Sequence, residues 1–497
     1  MTKRITFIKI AILAAALIAS NFAAHAQTLR LLPTPQQVIK QEGKFQMNEM
    51  VPVFLDKKSS TEESQAVWLF CESYFEAFGK ELTVADNKKV EKAIYLRNLS
   101  LETPKKGEDK EILPVGNQGY QIRISSQKIE ILANGNAGLY YGSQTLIQIL
   151  KMTSLFGSID CMTVNDMPDF EKRGWKYSSP ADRTPDYDFL RELIKQASHY
   201  KINVIDFSED HFVRSLAETE FFFLQKYAET YFVTLIADAS QKADYLEIPV
   251  DDKDAIHPPF HRSAASLNAA FSNLESDKAT VAFPEPEIIF MENWYSALWS
   301  AELLWRPIKT DSKTVLEQRI AQFDQALNVQ FFGTDFPLIE KMQAIDSLPM
   351  RALTYQDFWQ AMAPENAHNA AGATFHPEML EEISAIEESL SFVAEEYAVK
   401  NEIAVLLEIF ALQQMEFIVE KEALAAALHR RQARDLIIEK ELFKLLEILE
   451  ENIRHLQNGH AALFKTENRS EFPERLKQRY DLLLREITEI RSGIERN

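Results

Sequence analysis

Glycine is scarce in this chain, 14 in 497 residues, against a usual share of about 7%. No Gly-x-Gly-x-x-Gly run and no Gly-Lys-Ser/Thr loop occurs, so the backbone cradles that hold nucleotide phosphates are missing and nucleotide chemistry is disfavoured. Cysteine is rarer still. Cys71 and Cys161 are the only two, too few for a disulfide framework, and they read as buried free thiols, with one disulfide as the alternative. Positive charge is also short: 54 Lys and Arg stand against 74 Asp and Glu, for a net charge of -20. That balance argues against nucleic acid and anionic membrane surfaces as partners. None of the ten histidines sits in His-Glu-x-x-His, and His211, His257 and His261 are scattered. No metal site and no cofactor is therefore expected.

Long apolar runs are confined to the first 26 residues. Lys3, Arg4 and Lys9 precede the run Ile10 to Ile18, and Ala24-His25-Ala26 follows before Gln27. This is the pattern of a secretory signal with a small-x-small cleavage site, its apolar part too short to span a bilayer. A secreted or periplasmic location and no membrane span are expected. Cleavage removes three cations and leaves 471 residues at a net charge of -23, enough for two to four domains with sizeable cores.

Residues 27 to 155 read as an α+β domain. Leu29 to Leu32, Val51 to Leu55 and Ala93 to Arg97 look like strands, and Glu63 to Phe78 like a helix. Gly119 to Ile124 and Lys128 to Ala133 alternate with period two around a polar turn, which predicts a hairpin. Ala137-Gly138-Leu139-Tyr140-Tyr141-Gly142-Ser143-Gln144-Thr145-Leu146 then begins a helix on small residues that permit close packing against a sheet. Residues 160 to 310 alternate strands and helices. Tyr231 to Ile236, Ala279 to Phe283 and Ile288 to Met291 read as strands, while Lys242 to Leu274, with Pro249, Pro258 and Pro259, reads as loop with one short helix. Residues 311 to 497 read as a helical bundle. Glu378 to Asn458 contains neither Gly nor Pro, and Leu442, Leu445, Leu449, Ile453 and Leu456 mark one apolar face.

The densest chemical signal lies between Asn165 and His211. Asp166-Met167-Pro168-Asp169-Phe170 leads into Arg173-Gly174-Trp175, a helix ends at Lys201-Ile202-Asn203, and Ile205-Asp206-Phe207-Ser208-Glu209-Asp210-His211 closes the unit. An apolar strand ending in carboxylates fits the tip of a barrel strand, where such enzymes keep substrate contacts. With Leu32-Pro33-Thr34-Pro35-Gln36 and Gly138-Leu139-Tyr140-Tyr141-Gly142 upstream, the order resembles the family 20 glycoside hydrolases, the β-N-acetylhexosaminidases, in their Glu-Asp variant group.

That resemblance implies a zincin-like first domain, a TIM-barrel-like second domain and a ligand containing N-acetylhexosamine. A full barrel needs about 250 residues, so a segment of this length implies a truncated one. The resemblance also places Arg173, Glu209, Asp210, Glu292 and Trp294 in a sugar pocket. Arg173 would grip hydroxyls with its forked guanidinium, or serve as a structural ion pair. Glu209 and Asp210 would be pocket carboxylates or a helix-capping pair. Glu292 would bind a hydroxyl and Trp294 would wall the sugar, whereas Trp299 and Trp305, on helical offsets, read as core.

Members of this family use the substrate's own acetamido oxygen as nucleophile. One acid orients that amide while its neighbour protonates the leaving oxygen, and the pair comes in His-x-Gly-Gly-Asp-Glu. This sequence has no such motif. No glycine falls between Ile236 and Ala279, and the nearby acidic clusters are Asp251-Asp252 and Glu285-x-Glu287. Catalytic residues are therefore unassigned and enzyme activity is left open. The expectation is an exported hexosaminidase-family protein associated with N-acetylhexosamine glycans, with weak or lost hydrolase activity. The alternative is a non-catalytic glycan-binding or helical scaffold protein.

Overall fold

The computed structural model describes residues 29–496, apart from 49–50, 55–60, 87–91, 102–112, 114, 154–156, 178–185, 239–244, 248–259, 273–277, 283–292, 310–311, 349–353, 363–376, 398, 431–435 and 469–471. The leader sequence and the acidic clusters at 251–252 and 285–287 lie outside the described residues.

The first unit runs β1 (Gln37–Gln46), β2 (Val53–Phe54), α1 (Thr61–Phe78), β3 (Val84–Ala85), β4 (Ala93–Asn98), β5 (Tyr120–Ile124), β6 (Lys128–Ala133), α2 (Asn136–Lys151) and β7 (Ser158–Asp166). Its seven strands form one sheet in the order β1-β7-β5-β6-β4-β2-β3. The expected hairpin is present, with Tyr120 opposite Ala133 and Ile124 opposite Ile129. Every residue of α2 from Gly138 to Leu150 is buried. Its glycines explain how it sits so close to the sheet: a Cβ on Gly138 would lie 2.3 Å from the Gly119 carbonyl oxygen, and one on Gly142 2.6 Å from Ile131 Cγ2. Leu29 to Leu32, expected as a strand, is irregular, and the long strand here is β1. Cys71 and Cys161 are both free thiols.

The second unit runs β8 (Lys172–Lys176), α3 (Tyr187–His199), β9 (Val204–Asp206), α4 (His211–Ser215), α5 (Glu218–Thr230), β10 (Thr234–Ile236), β11 (Tyr245–Glu247), α6 (Phe260–Ser272), β12 (Lys278–Ala282) and α7 (Trp294–Trp305). All its strand pairings are parallel, in the order β10-β9-β8-β12-β11. The first and last strands, β8 and β12, lie side by side, while β10 and β11, consecutive along the chain, form opposite edges. Two expectations for 242–274 change. Tyr245–Glu247 is a strand, and the helix is a full 13 residues. The expected strand at 288–291 lies outside the described residues.

The remainder is helical, as the sequence indicates: α8 (Lys313–Gln330), α9 (Leu338–Met342), a 3-10 turn at Gln343–Ser347, α10 (Tyr355–Trp359), α11 (Pro377–Glu396), α12 (Glu402–Arg430), α13 (Leu436–Asn468) and α14 (Glu474–Arg496). On α13 the buried seam is Leu442, Leu446, Leu449, Ile453 and Leu456, with Leu445 half-buried beside it. One continuous apolar core runs through all three parts. Among the described residues, no helix is long and apolar enough to cross a membrane.

Candidate functional site

The carboxyl ends of β8 and β9 bring the signal of the 165–211 stretch together. Lys176 closes β8 and pairs in register with Asp206, the last residue of β9, so both side chains leave the same face of the sheet. Asp206 is buried and its Oδ1 accepts the Ser208 backbone N–H at 2.8 Å, which turns the chain sharply after the strand. The turn leaves Glu209 half-exposed, and its Oε2 accepts from Lys176 Nζ at 2.5 Å. The Ser208 hydroxyl is buried beside them without a partner among the described residues. The Lys176–Glu209 pair can donate to and accept from a polyhydroxylated ligand.

Asp210 has another task. It is fully buried, and its Oδ1 accepts the Val213 N–H at 2.7 Å as the N-cap of α4. This is the capping alternative, set by the short helix that begins one residue later.

Arg173 lies at the opposite end of β8. It is fully buried, and strand alternation turns it with Trp175 toward α7, away from Lys176. Its guanidinium donates to the Lys201, Phe170 and Glu171 carbonyls and to Gln118 Oε1, and it sits 4.9 Å from the Trp305 ring. Burial lowers its pKa. The expected grip on sugar hydroxyls does not fit this placement, because the group is fully buried, Nε and Nη1 are used joining the second sheet to the first unit, and Nη2, without a partner among the described residues, is itself buried.

Trp294 begins α7 and is 2% exposed. Its ring stacks on Phe331 at 5.3 Å with planes 5° apart, and Nε1 points to Glu408 Oε1 at 3.4 Å. It borders an apolar cavity of about 260 Å³ together with Trp175, Phe189, Leu193, Leu298 and Ile403. That cavity lies on the helix side of β8, so Trp294 and Glu209 do not face one space. Trp299 and Trp305 are core, both fully buried. Glu292 lies outside the described residues. The structure thus gathers Glu209 with Asp210 but brings neither Arg173 nor Trp294 to them.

Lys176 was not among the sequence candidates. Its signal was present, since a strand ending one residue after Trp175 places position 176 beside Asp206 once the two strands are set parallel. Among the described residues, no group of three His, Cys, Asp or Glu side chains is arranged to hold a metal ion.

A family model described as glycosyl hydrolase family 20, domain 2, matches residues 28–167. A β-hexosaminidase of Vibrio furnissii is 25% identical over 184 residues, which span 36% of this chain and 26% of that protein. Among solved structures, the family 20 β-N-acetylhexosaminidase of Streptomyces coelicolor superposes at 15% identity and a TM-score of 0.33, covering 44% of this chain and 47% of that one. The structure of CpGH84B superposes at 12% identity and a TM-score of 0.47, covering 88% of this chain and 100% of that one. Superpositions at these scores carry no weight of their own. The family-model match falls on the seven-stranded sheet with its two helices, and through that domain the chain is a relative of the family 20 glycosyl hydrolases.

Proposed function

We propose that this chain is an exported relative of the β-N-acetylhexosaminidases that holds N-acetylhexosamine glycans at the carboxyl ends of β8 and β9, with weak or lost hydrolase activity. In this reading residues 1–26 are the signal peptide, 27–155 a zincin-like domain, 160–310 a shortened (β/α) barrel and 311–497 a helical domain. The strand order carries the barrel assignment. A (β/α) barrel closes by pairing its last strand with its first, and among the described residues the last strand of this unit, β12, pairs with the first, β8, while β10 and β11 form the two open edges, as expected of a barrel shortened in its middle.

Loss of the middle strands also accounts for the chemistry. The family's acid pair belongs to that part of the barrel, and its His-x-Gly-Gly-Asp-Glu motif is absent from the sequence. Without a positioned general acid the rate falls by about 10²- to 10⁴-fold. Glu209 remains, paired with Lys176 as a polar contact for hydroxyl or acetamido groups. Glu292 would join it from the segment before α7, while Arg173, Asp210 and Trp294 support the walls.

Calorimetric titration with N,N'-diacetylchitobiose, beside a chromogenic N-acetylglucosaminide assay, tests this reading. Saturable binding weakened about tenfold by Glu209→Gln, with turnover near background, is the expected result. No binding by a folded protein, or turnover unaffected by Glu209→Gln, overturns it.

A further inference from the structure

A second cavity, of about 240 Å³, opens where the first unit, α3 and the helical part meet. Its charged and polar lining includes Lys151 at the end of α2, His199 at the end of α3, Gln330 at the end of α8, and Lys400 with Asn401 just before α12. Neither lysine ammonium has a hydrogen-bond or ion-pair partner among the described residues. Glu76, the acidic group on the rim, is occupied by Lys195. Two further lining groups, His199 Nε2 and Gln330 Oε1, are buried without partners among the described residues.

The charges are set against one another. Burial and the neighbouring Lys400 push Lys151 down to about 8. Burial, Lys151 and Lys195 push His199 down to about 3. A basic residue at a helix C-terminus is favoured by the macrodipole, and this accounts for Lys151 alone. It does not account for Lys400, which stands beside the start of α12, where a cation is disfavoured and an anion is welcome.

We infer that this cavity is a binding site for a small oxyanion of the phosphate or sulfate kind, held between Lys151 and Lys400 with His199 Nε2 as a further donor. An oxyanion supplies the missing counter-charge to both lysines, and a protonated phosphate oxygen can donate to Gln330 Oε1. The exposed position of Lys400 gives solvent access.

The test is a thermal-shift and calorimetric titration of the full chain with inorganic phosphate and with sulfate, at constant ionic strength set by chloride. The expected result is saturable binding with a raised melting temperature, weakened at least tenfold in both Lys400→Gln and Lys151→Met. Lys400 is exposed, so its variant keeps the test valid should Lys151→Met fold poorly. Equal responses in wild type and Lys400→Gln, or no response beyond that to chloride, overturn the site.

Discussion

At the scale of single residues, one carboxylate ties the two sheets together. Asp166 ends β7, is 1% exposed, and accepts from Lys201 Nζ at 3.1 Å, the Tyr120 hydroxyl at 2.5 Å, Trp305 Nε1 at 2.9 Å and the Gln36 N–H at 3.0 Å. These donors come from the first sheet, the turn before β9 and the end of α7. A buried ion pair is poor evidence of net stabilisation, but removing one partner strands the other charge. Lys201→Met should therefore cost about 3 to 5 kcal/mol, read as a lower midpoint in urea denaturation. Lys201 holds φ at 63°, a left-handed conformation strained for lysine and methionine alike, so the loss reports the ammonium and not the backbone.

At the scale of elements, α4 depends on its cap. It has five residues, too few to persist without its neighbours, and Asp210→Ala should cost about 1 kcal/mol. Asp210→Asn should retain most of that stability, measured by the same denaturation. A second element-level effect lies between α12 and α13. Glu420 is 8% exposed, and burial, reinforced by Glu416, raises its pKa to about 7 against the pull of Asn452, which donates to it at 2.6 Å. A carboxyl whose pKa is higher in the folded state binds its proton more tightly there, so its contribution is complete below the unfolded value and is lost as pH rises through about 7. Glu420→Gln should raise the melting temperature at pH 8 and leave it nearly unchanged at pH 4, checked by melting curves across that range.

The same scale shows what the sequence makes legible. Strand β5 and helix α1 bury one face each, so their periodicity is written into residue type, whereas β6 and α2 are buried almost all round and are marked by their apolar and small residues. Strand β1 is almost wholly exposed along Gln37–Gln46, and with no buried face it carries no alternation to detect. The three residues of β11 sit in a polar, proline-bearing stretch and are fixed by pairing with β12, a non-local cause. For Arg173 and Asp210 the sequence leaves two roles open each, and in the fold Asp210 caps α4 while Arg173 meets protein acceptors. Whether a guanidinium meets a ligand or four protein acceptors depends on which end of β8 it occupies, and motif spacing does not encode that.

At the scale of the whole molecule, the helical part is a cover for the second unit. Trp294 is stacked on Phe331 and met edge-on by Phe332, and the cavity beside it is walled by Ile403. Ending the chain at residue 310 should expose Trp294 and its neighbours. The fragment should show red-shifted tryptophan emission and bind the dye ANS, whereas the full chain should do neither.

The Asp166 junction also orders events in time. Lys201 follows Asp166 by 35 residues and Trp305 by 139. At a synthesis rate of about 5 to 20 residues per second, the indole emerges about 7 to 28 seconds after the carboxylate. Gln36 and Tyr120 precede the carboxylate and Lys201 follows it closely, so chain order leaves the indole of α7 as the last of its four partners to become available.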